Sequence, residues 1–268
     1  MSSSQILGGK YALVFGAAGS VGAAVAKEFA TEGAEVFLAG RTMASVDGVA
    51  KEIEAAGGKA HTKALDALDE EAVTVYVDSV ARETGRIDIE FNAVGTRPTD
   101  YGNGKNVLDL PVEEFIVGVN TMLRSQFITA RAAARHMVKQ KAGVIVLLTG
   151  APAGAHIEGT TAIGSACGAV EALTRNLALD LSPQGVRAVC VRSSAMMDSR
   201  TIQQTIEMIT ARASISREQI VARLASLTML KTTASVMDTA RAVAFVASDK
   251  ARMLTSNVIN STGGAVED

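Results

Sequence analysis

The chain has 268 residues, long for one average domain but within the range of a single α/β unit, and its 48% apolar content can fill a large core. Its 26 basic and 28 acidic residues leave a net charge of −2, which excludes the electrostatic footprint of a nucleic-acid or anionic-membrane binder. No apolar run reaches membrane-spanning length, the polar start Met1–Gln5 lacks the order of a signal peptide, and Cys167 and Cys190 show no metal spacing, so the expectations are a reducing cytoplasm, no membrane and no metal.

The predicted elements alternate from the outset. Tyr11–Phe15 is a run of apolar, β-favouring residues that meets the small-residue cluster Gly16-Ala17-Ala18-Gly19-Ser20-Val21-Gly22. Helical spacing starts at once, through Val21, Val25, Ala26 and Phe29. A buried strand that turns tightly into a helix leaves the first helical N–H groups unpaired, and small residues let a phosphate reach them. A turn built only for tight packing would share the glycines. The size of Tyr11–Leu38, one βαβ half-unit with a second strand at Glu35–Leu38, favours the phosphate.

A helix at Ala44–Ala56 stops at Gly57-Gly58, and Ala60–Ala64 is a short strand. Asp69-Glu70-Glu71 opens a helix whose buried stripe is Val73, Val77 and Val80. Ile87–Phe91 is the fourth strand, followed by a polar loop at Gly95–Asn106 and a long helix at Glu113–Gln140. Val144–Leu148 reads as a strand buried on both faces, Thr160–Leu181 as a helix and Arg187–Val191 as the sixth strand. Helices at Thr201–Thr210 and Ser216–Ser226 lack flanking strands. They form an excursion, within 195–230, that reads as a substrate lid or as ordinary edge packing. A helix at Val236–Ala247 and a strand at Val258–Asn260 close the chain. The pattern predicts one domain over 1–268: a three-layer Rossmann fold, with a doubly wound parallel sheet of about seven strands and helices on both faces.

Ligands of such sheets sit beyond the carboxyl ends of the strands. Arg41 follows the second strand, where an acid would grip an adenosine 2′-hydroxyl, and Leu38–Thr42 contains no acid. A guanidinium there suits a 2′-phosphate, hence NADP(H) rather than NAD(H), unless it is simply solvated. Asp66, beside Ala67 after the third strand, suits an adenine amino group or a helix cap.

Taken together, these residues resemble the short-chain dehydrogenase/reductase family over nearly the whole chain. Gly16–Gly22 is similar to its cofactor turn, with Ser20 where glycine is usual. Asp66 matches its adenine-site aspartate. Asp88-Ile89-Glu90-Phe91-Asn92-Ala93-Val94-Gly95 is similar to the stretch ending in Asn-Asn-Ala-Gly, Val119-Asn120 to the helix asparagine that holds a water, and Ser256–Gly264 to the closing strand and glycine pair. The resemblance implies a nicotinamide cofactor held by Gly16, Ala18, Gly19, Ser20, Val21, Gly22, Arg41, Asp66, Ala67, Asn92, Ala93, Val94 and Gly95. It also implies a homodimer or homotetramer built through helices 113–140 and 160–181.

The departures lie at the family's reactive centre. Its serine, tyrosine and lysine positions fall on Gly150, Ile163 and Cys167, and Gly143–Leu173 contains neither Tyr nor Lys. The proline–glycine after the sixth strand is Ser193-Ser194, and only Asn120 of the four catalytic groups is kept. Charge that builds on a carbonyl oxygen needs a donor within reach. The displaced donors to consider are Tyr101, His156 beside Glu158, and Thr149. Three readings stand: an oxidoreductase acting on a small apolar substrate with an activated C=C or C=N bond or a carbonyl; a catalytically silent NADP(H)-binding regulator or scaffold; and non-redox chemistry on the same scaffold.

Overall fold

Along strand β1 (Tyr11–Phe15), Ala12 and Val14 join one buried cluster while Leu13 and Phe15 join another, so the strand is covered on both faces. The structure is a computed structural model that describes residues 5–213 and 215–267. The first four residues of the polar start, and Ser214 within the predicted excursion, lie outside the described residues.

The remaining strands are β2 (Glu35–Gly40), β3 (Lys59–Ala64), β4 (Ile89–Asn92), β5 (Gly143–Gly150), β6 (Val186–Ser193) and β7 (Val258–Ser261). They form one parallel sheet in the order β3-β2-β1-β4-β5-β6-β7, so strand order reverses between β1 and β4. On one face, Phe29 of helix α1 (Ser20–Thr31), Val46 and Ile53 of α2 (Met43–Ala55) and Val243 of α9 (Val236–Ala247) pack on Val14, Phe91 and Val146. On the other, Val77 of α3 (Glu70–Thr84), Ile128 and Met137 of α5 (Arg124–Gln140) and Val170 of α6 (Thr161–Leu181) pack on Leu13, Phe15 and Ile145. The predicted three-layer doubly wound sheet is the one observed.

Local chemistry sets several boundaries. Asp69 caps α3 by accepting the Ala72 N–H at 3.0 Å, and Gly85 ends that helix at φ +77°. Ser235 and Asp238 cap α9 reciprocally. β5 and β6 run further than their apolar stretches, pairing Thr149 with Arg192 and Gly150 with Ser193, because a parallel ladder is made by backbone groups whatever the side chains. β4 begins at Ile89 rather than Ile87, and the Asp88 carboxylate just before it accepts the Tyr11 N–H at 2.8 Å.

The helix expected at Glu113–Gln140 comprises α4 (Val112–Gly118), a π-helical turn at Val119–Leu123, and α5. Beside that turn Gly118 lies against α6, where an added Cβ would sit 3.4 Å from the Ala166 Cβ. The excursion consists of α7 (Arg200–Arg212) and α8 (Arg217–Leu227). Among the described residues no helix is long and apolar enough to cross a membrane.

Candidate active site

Beyond the carboxyl ends of the strands, at the reversal between β1 and β4, lies a cleft of about 1500 Å³. Its first wall is the turn from β1 into α1. Gly16 has φ +72°, and a Cβ there would stand 2.9 Å from the Ala93 carbonyl carbon. At Gly22 a Cβ would lie 2.2 Å from the Gly16 carbonyl oxygen, so the helix can press on the turn only without a side chain. Gly19 caps α1 and brings no side-chain acceptor, which leaves the first-turn N–H groups facing the cleft. This cradle, which an added methyl at Gly16 or Gly22 would distort, fits a pyrophosphate.

Gly16, Ala18, Gly19, Ser20 and Val21 line the cleft, while Gly22 lies buried behind them. Arg41, Thr42 and Ser45 line it after β2, as do Asp66 and Ala67 after β3. Thr42 precedes α2 without capping it through its side chain. Asp66 does not cap α3; its carboxylate accepts the Leu68 N–H at 3.0 Å. After β4, Asn92, Ala93, Val94 and Gly95 complete this wall. The Asn92 amide donates to Thr129 Oγ1 at 2.9 Å, and its oxygen accepts the Val94 N–H at 2.7 Å, so this side chain shapes the loop.

Gly150, Ile163 and Cys167 all line the inner end. Burial pushes the Cys167 thiol up to about 11, so it stays protonated at neutral pH. Tyr101, one of the expected displaced donors, reaches the same cleft from the loop after β4 and is only 5% exposed. Burial pushes its phenol up to about 12, with the charge of Cys167 as a smaller contribution. His156 also lines the cleft, but as an exposed side chain on its outer loop.

Two further expected residues, Asn120 and Thr149, are not poised as donors in the cleft. Asn120 is exposed on the π-helical turn and does not line the cleft, whereas Thr121 and Met122 do. The extra residue, three backbone atoms, in each hydrogen-bonded ring of a π turn rotates successive side chains away from an α-helical register. Thr149 lines the cleft, but its hydroxyl donates to Glu171 Oε1 at 3.1 Å and touches Cys190 Sγ at 3.3 Å. Its proton is therefore committed below the floor.

That floor was missed by sequence reasoning. Glu171 takes Arg192 Nε on Oε1 at 2.8 Å and Nη2 on Oε2 at 2.9 Å, and both residues are buried. Ser193 Oγ donates to the Thr149 carbonyl at 2.9 Å. The available signal was an acid inside the apolar stripe of α6 together with an arginine inside β6, both near the reactive end. Removing one partner would strand the other charge and costs about 3–5 kcal/mol. Arg192→Met is therefore expected to lower the unfolding midpoint in urea, with Arg192→Met combined with Glu171→Leu recovering most of the loss.

The outer mouth is apolar. Met196, Ile206, Ile209, Ile220 and Leu224 from the excursion line the cleft there, as does Ile157. Among the described residues, no group of three His, Cys, Asp or Glu side chains could hold a metal ion.

Comparison with known proteins fits this geometry. Residues 16–266 match the family profile described as enoyl-(acyl carrier protein) reductase. The chain is 31% identical over 271 residues to versicolorin reductase stcU of Emericella nidulans, covering 99% of each. It is 26% identical over 262 residues to 7alpha-hydroxysteroid dehydrogenase of Escherichia coli K12, covering 98% of this chain and 96% of that one. Among solved structures, NAD+-bound xylitol dehydrogenase superposes with a TM-score of 0.87 at 25% identity, over 95% of this chain and 98% of its own. A 7 alpha-hydroxysteroid dehydrogenase complexed with NADH and 7-oxo glycochenodeoxycholic acid gives 0.84 at 26% identity, over 100% and 99%. The sheet order, the glycine turn and these full-length matches agree: the chain belongs to the short-chain dehydrogenase/reductase family of oxidoreductases.

Proposed function

We propose that this oxidoreductase uses NADP(H) to reduce a small apolar substrate whose C=C or C=N bond is conjugated to an electron-withdrawing group, with Tyr101 as the hydrogen-bond donor. The observation that carries this reading is that one cleft holds both the glycine cradle and the buried phenol of Tyr101. When bound, a nicotinamide dinucleotide supplies or accepts a hydride. Arg41, Thr42 and Ser45 present a guanidinium and two hydroxyls at the adenosine end, which favours a 2′-phosphate. The similar structures with NAD+ or NADH bound support a nicotinamide cofactor of one kind or the other.

The inner end supports this substrate class. Ile163 has no polar atom, Cys167 is a buried thiol, and the Thr149 proton is spent on Glu171. In a conjugated system charge moves onto an oxygen or nitrogen displaced from the carbon that takes the hydride. A donor from the loop after β4, rather than from α6, suits that displaced atom. Tyr101 stays protonated through the physiological range, so it can offer a hydrogen bond without first losing its proton.

NADPH fluorescence tests the reading directly. Binding with oxidation by conjugated enones or cyclic imines is expected, and Tyr101→Phe is expected to lower kcat by roughly 10²–10³-fold with NADPH affinity unchanged. Arg41→Ala is expected to weaken NADPH binding by roughly 10–100-fold while leaving NADH binding nearly as it was. Binding without turnover across enones, imines, ketones and alcohols would instead support the second reading, a catalytically silent NADP(H)-binding protein, which the residues at Gly150, Ile163 and Cys167 favour. A homodimer or homotetramer through α5 and α6 is part of the same proposal; Phe127 and Leu179, exposed on those helices, support it. So is a cytoplasmic location.

A further inference from the structure

Ser20 is the first residue of α1, and its Oγ accepts the backbone N–H of Arg200 at 3.0 Å across 180 residues of sequence. Arg200 is the first residue of α7, the helix that opens the excursion over the cleft. The two helix N-termini therefore meet at one hydroxyl, at the edge of the glycine cradle. A glycine at this position would have no such oxygen. The bond does not stand alone: Ser199 caps α7 by accepting the Ile202 N–H at 3.3 Å and donates to the Met196 carbonyl at 2.8 Å. Asp198 accepts the Val236 N–H of α9 at 2.9 Å. The root of the excursion is thus fixed to α9 on one side and to the cofactor turn on the other.

A serine hydroxyl can accept and donate at once. The oxygen of Ser20 is engaged by α7, and its proton has no protein acceptor among the described residues. We propose that Ser20 is a positioning residue that couples dinucleotide binding to the seating of α7: its proton goes to a pyrophosphate oxygen while its lone pair keeps the Arg200 N–H. This rests on the reading that the glycine cradle takes a pyrophosphate. Donation to an anion raises the negative charge on the serine oxygen and strengthens its acceptance from α7. The coupling is reciprocal, so a seated α7 also tightens the dinucleotide.

Hydrogen exchange of the full chain, followed in peptides from the first two turns of α7, tests the coupling. In the wild type, saturating NADP+ is expected to slow exchange there by roughly tenfold. Adenosine 2′,5′-bisphosphate, which carries no pyrophosphate, should leave these peptides unchanged. Ser20→Ala, held at NADP+ concentrations shown by titration to saturate it, should lose the ligand-dependent slowing, and Ser20→Thr should restore it. A bond with a merely structural role would shift α7 exchange equally with and without ligand, which overturns the inference, as would full protection in saturated Ser20→Ala. If the wild type binds neither NADP+ nor NAD+, the functional reading fails first and the inference goes with it.

Discussion

Gly22→Ala is expected to abolish measurable dinucleotide binding and to destabilise the fold. The methyl would stand 2.2 Å from the Gly16 oxygen, 2.8 Å from the Gly16 carbonyl carbon and 3.1 Å from the Ala17 Cα. All three atoms are backbone, so no side chain can rotate away. Either α1 must retreat from β1 or the turn must open, and both changes dismantle the cradle. Overpacking of this kind costs about 1–3 kcal/mol in stability. Gly48→Ala is the matched control: it lies inside α2, has nothing within 4 Å of an added Cβ, and is expected to gain about 0.5–1 kcal/mol. Isothermal calorimetry with both dinucleotides and urea unfolding of the two variants measure the contrast. Dinucleotide affinity in Gly22→Ala within threefold of the wild type would show that the turn does not hold the pyrophosphate.

Replacing Glu90 is expected to stabilise the protein, and increasingly so as pH rises. Glu90 is 1% exposed on β4, paired in register with Leu13 and Ile145, and its Oε1 has no hydrogen-bond partner. Burial pushes its carboxyl up to about 8, against a smaller opposing effect of the Thr129 hydroxyl. The folded state therefore keeps a proton that the unfolded chain releases near 4.5. Its stabilising contribution is complete below that value and falls as pH rises, by about 1.4 kcal/mol per pH unit, levelling off above the folded value. Glu90→Leu should flatten this part of the stability curve, so its advantage over the wild type grows from pH 5 to pH 8. Glu90→Gln should flatten the slope as well while keeping a buried polar group. Urea unfolding at several pH values decides it, and parallel curves for wild type and Glu90→Leu would refute the assignment.

Glu90 also shows where sequence reading stops. In Asp88-Ile89-Glu90-Phe91-Asn92 the alternation looks like a strand with one wet face. The sheet order encloses β4 between β1 and β5, and α5 covers the face that Glu90 occupies. Tyr101 is the same case in a loop. Its neighbours in sequence are polar, yet its ring is buried at the wall of a cleft that Cys167, sixty-odd positions away, also lines.

By itself the sequence determined the alternation of strands and helices, down to the bounds of α9 at Val236–Ala247, and the glycine turn between β1 and α1. These are local properties, written by periodicities of two and 3.6 residues and by the steric demands of a single turn. The tertiary structure alone decided that Thr149 gives its proton to Glu171, that Asn120 is left out of the cleft lining, and that Ser20 meets Arg200. Each of these depends on which distant segments the order of the parallel strands brings together. No local pattern encodes that order, because it is chosen by the burial of the whole sheet.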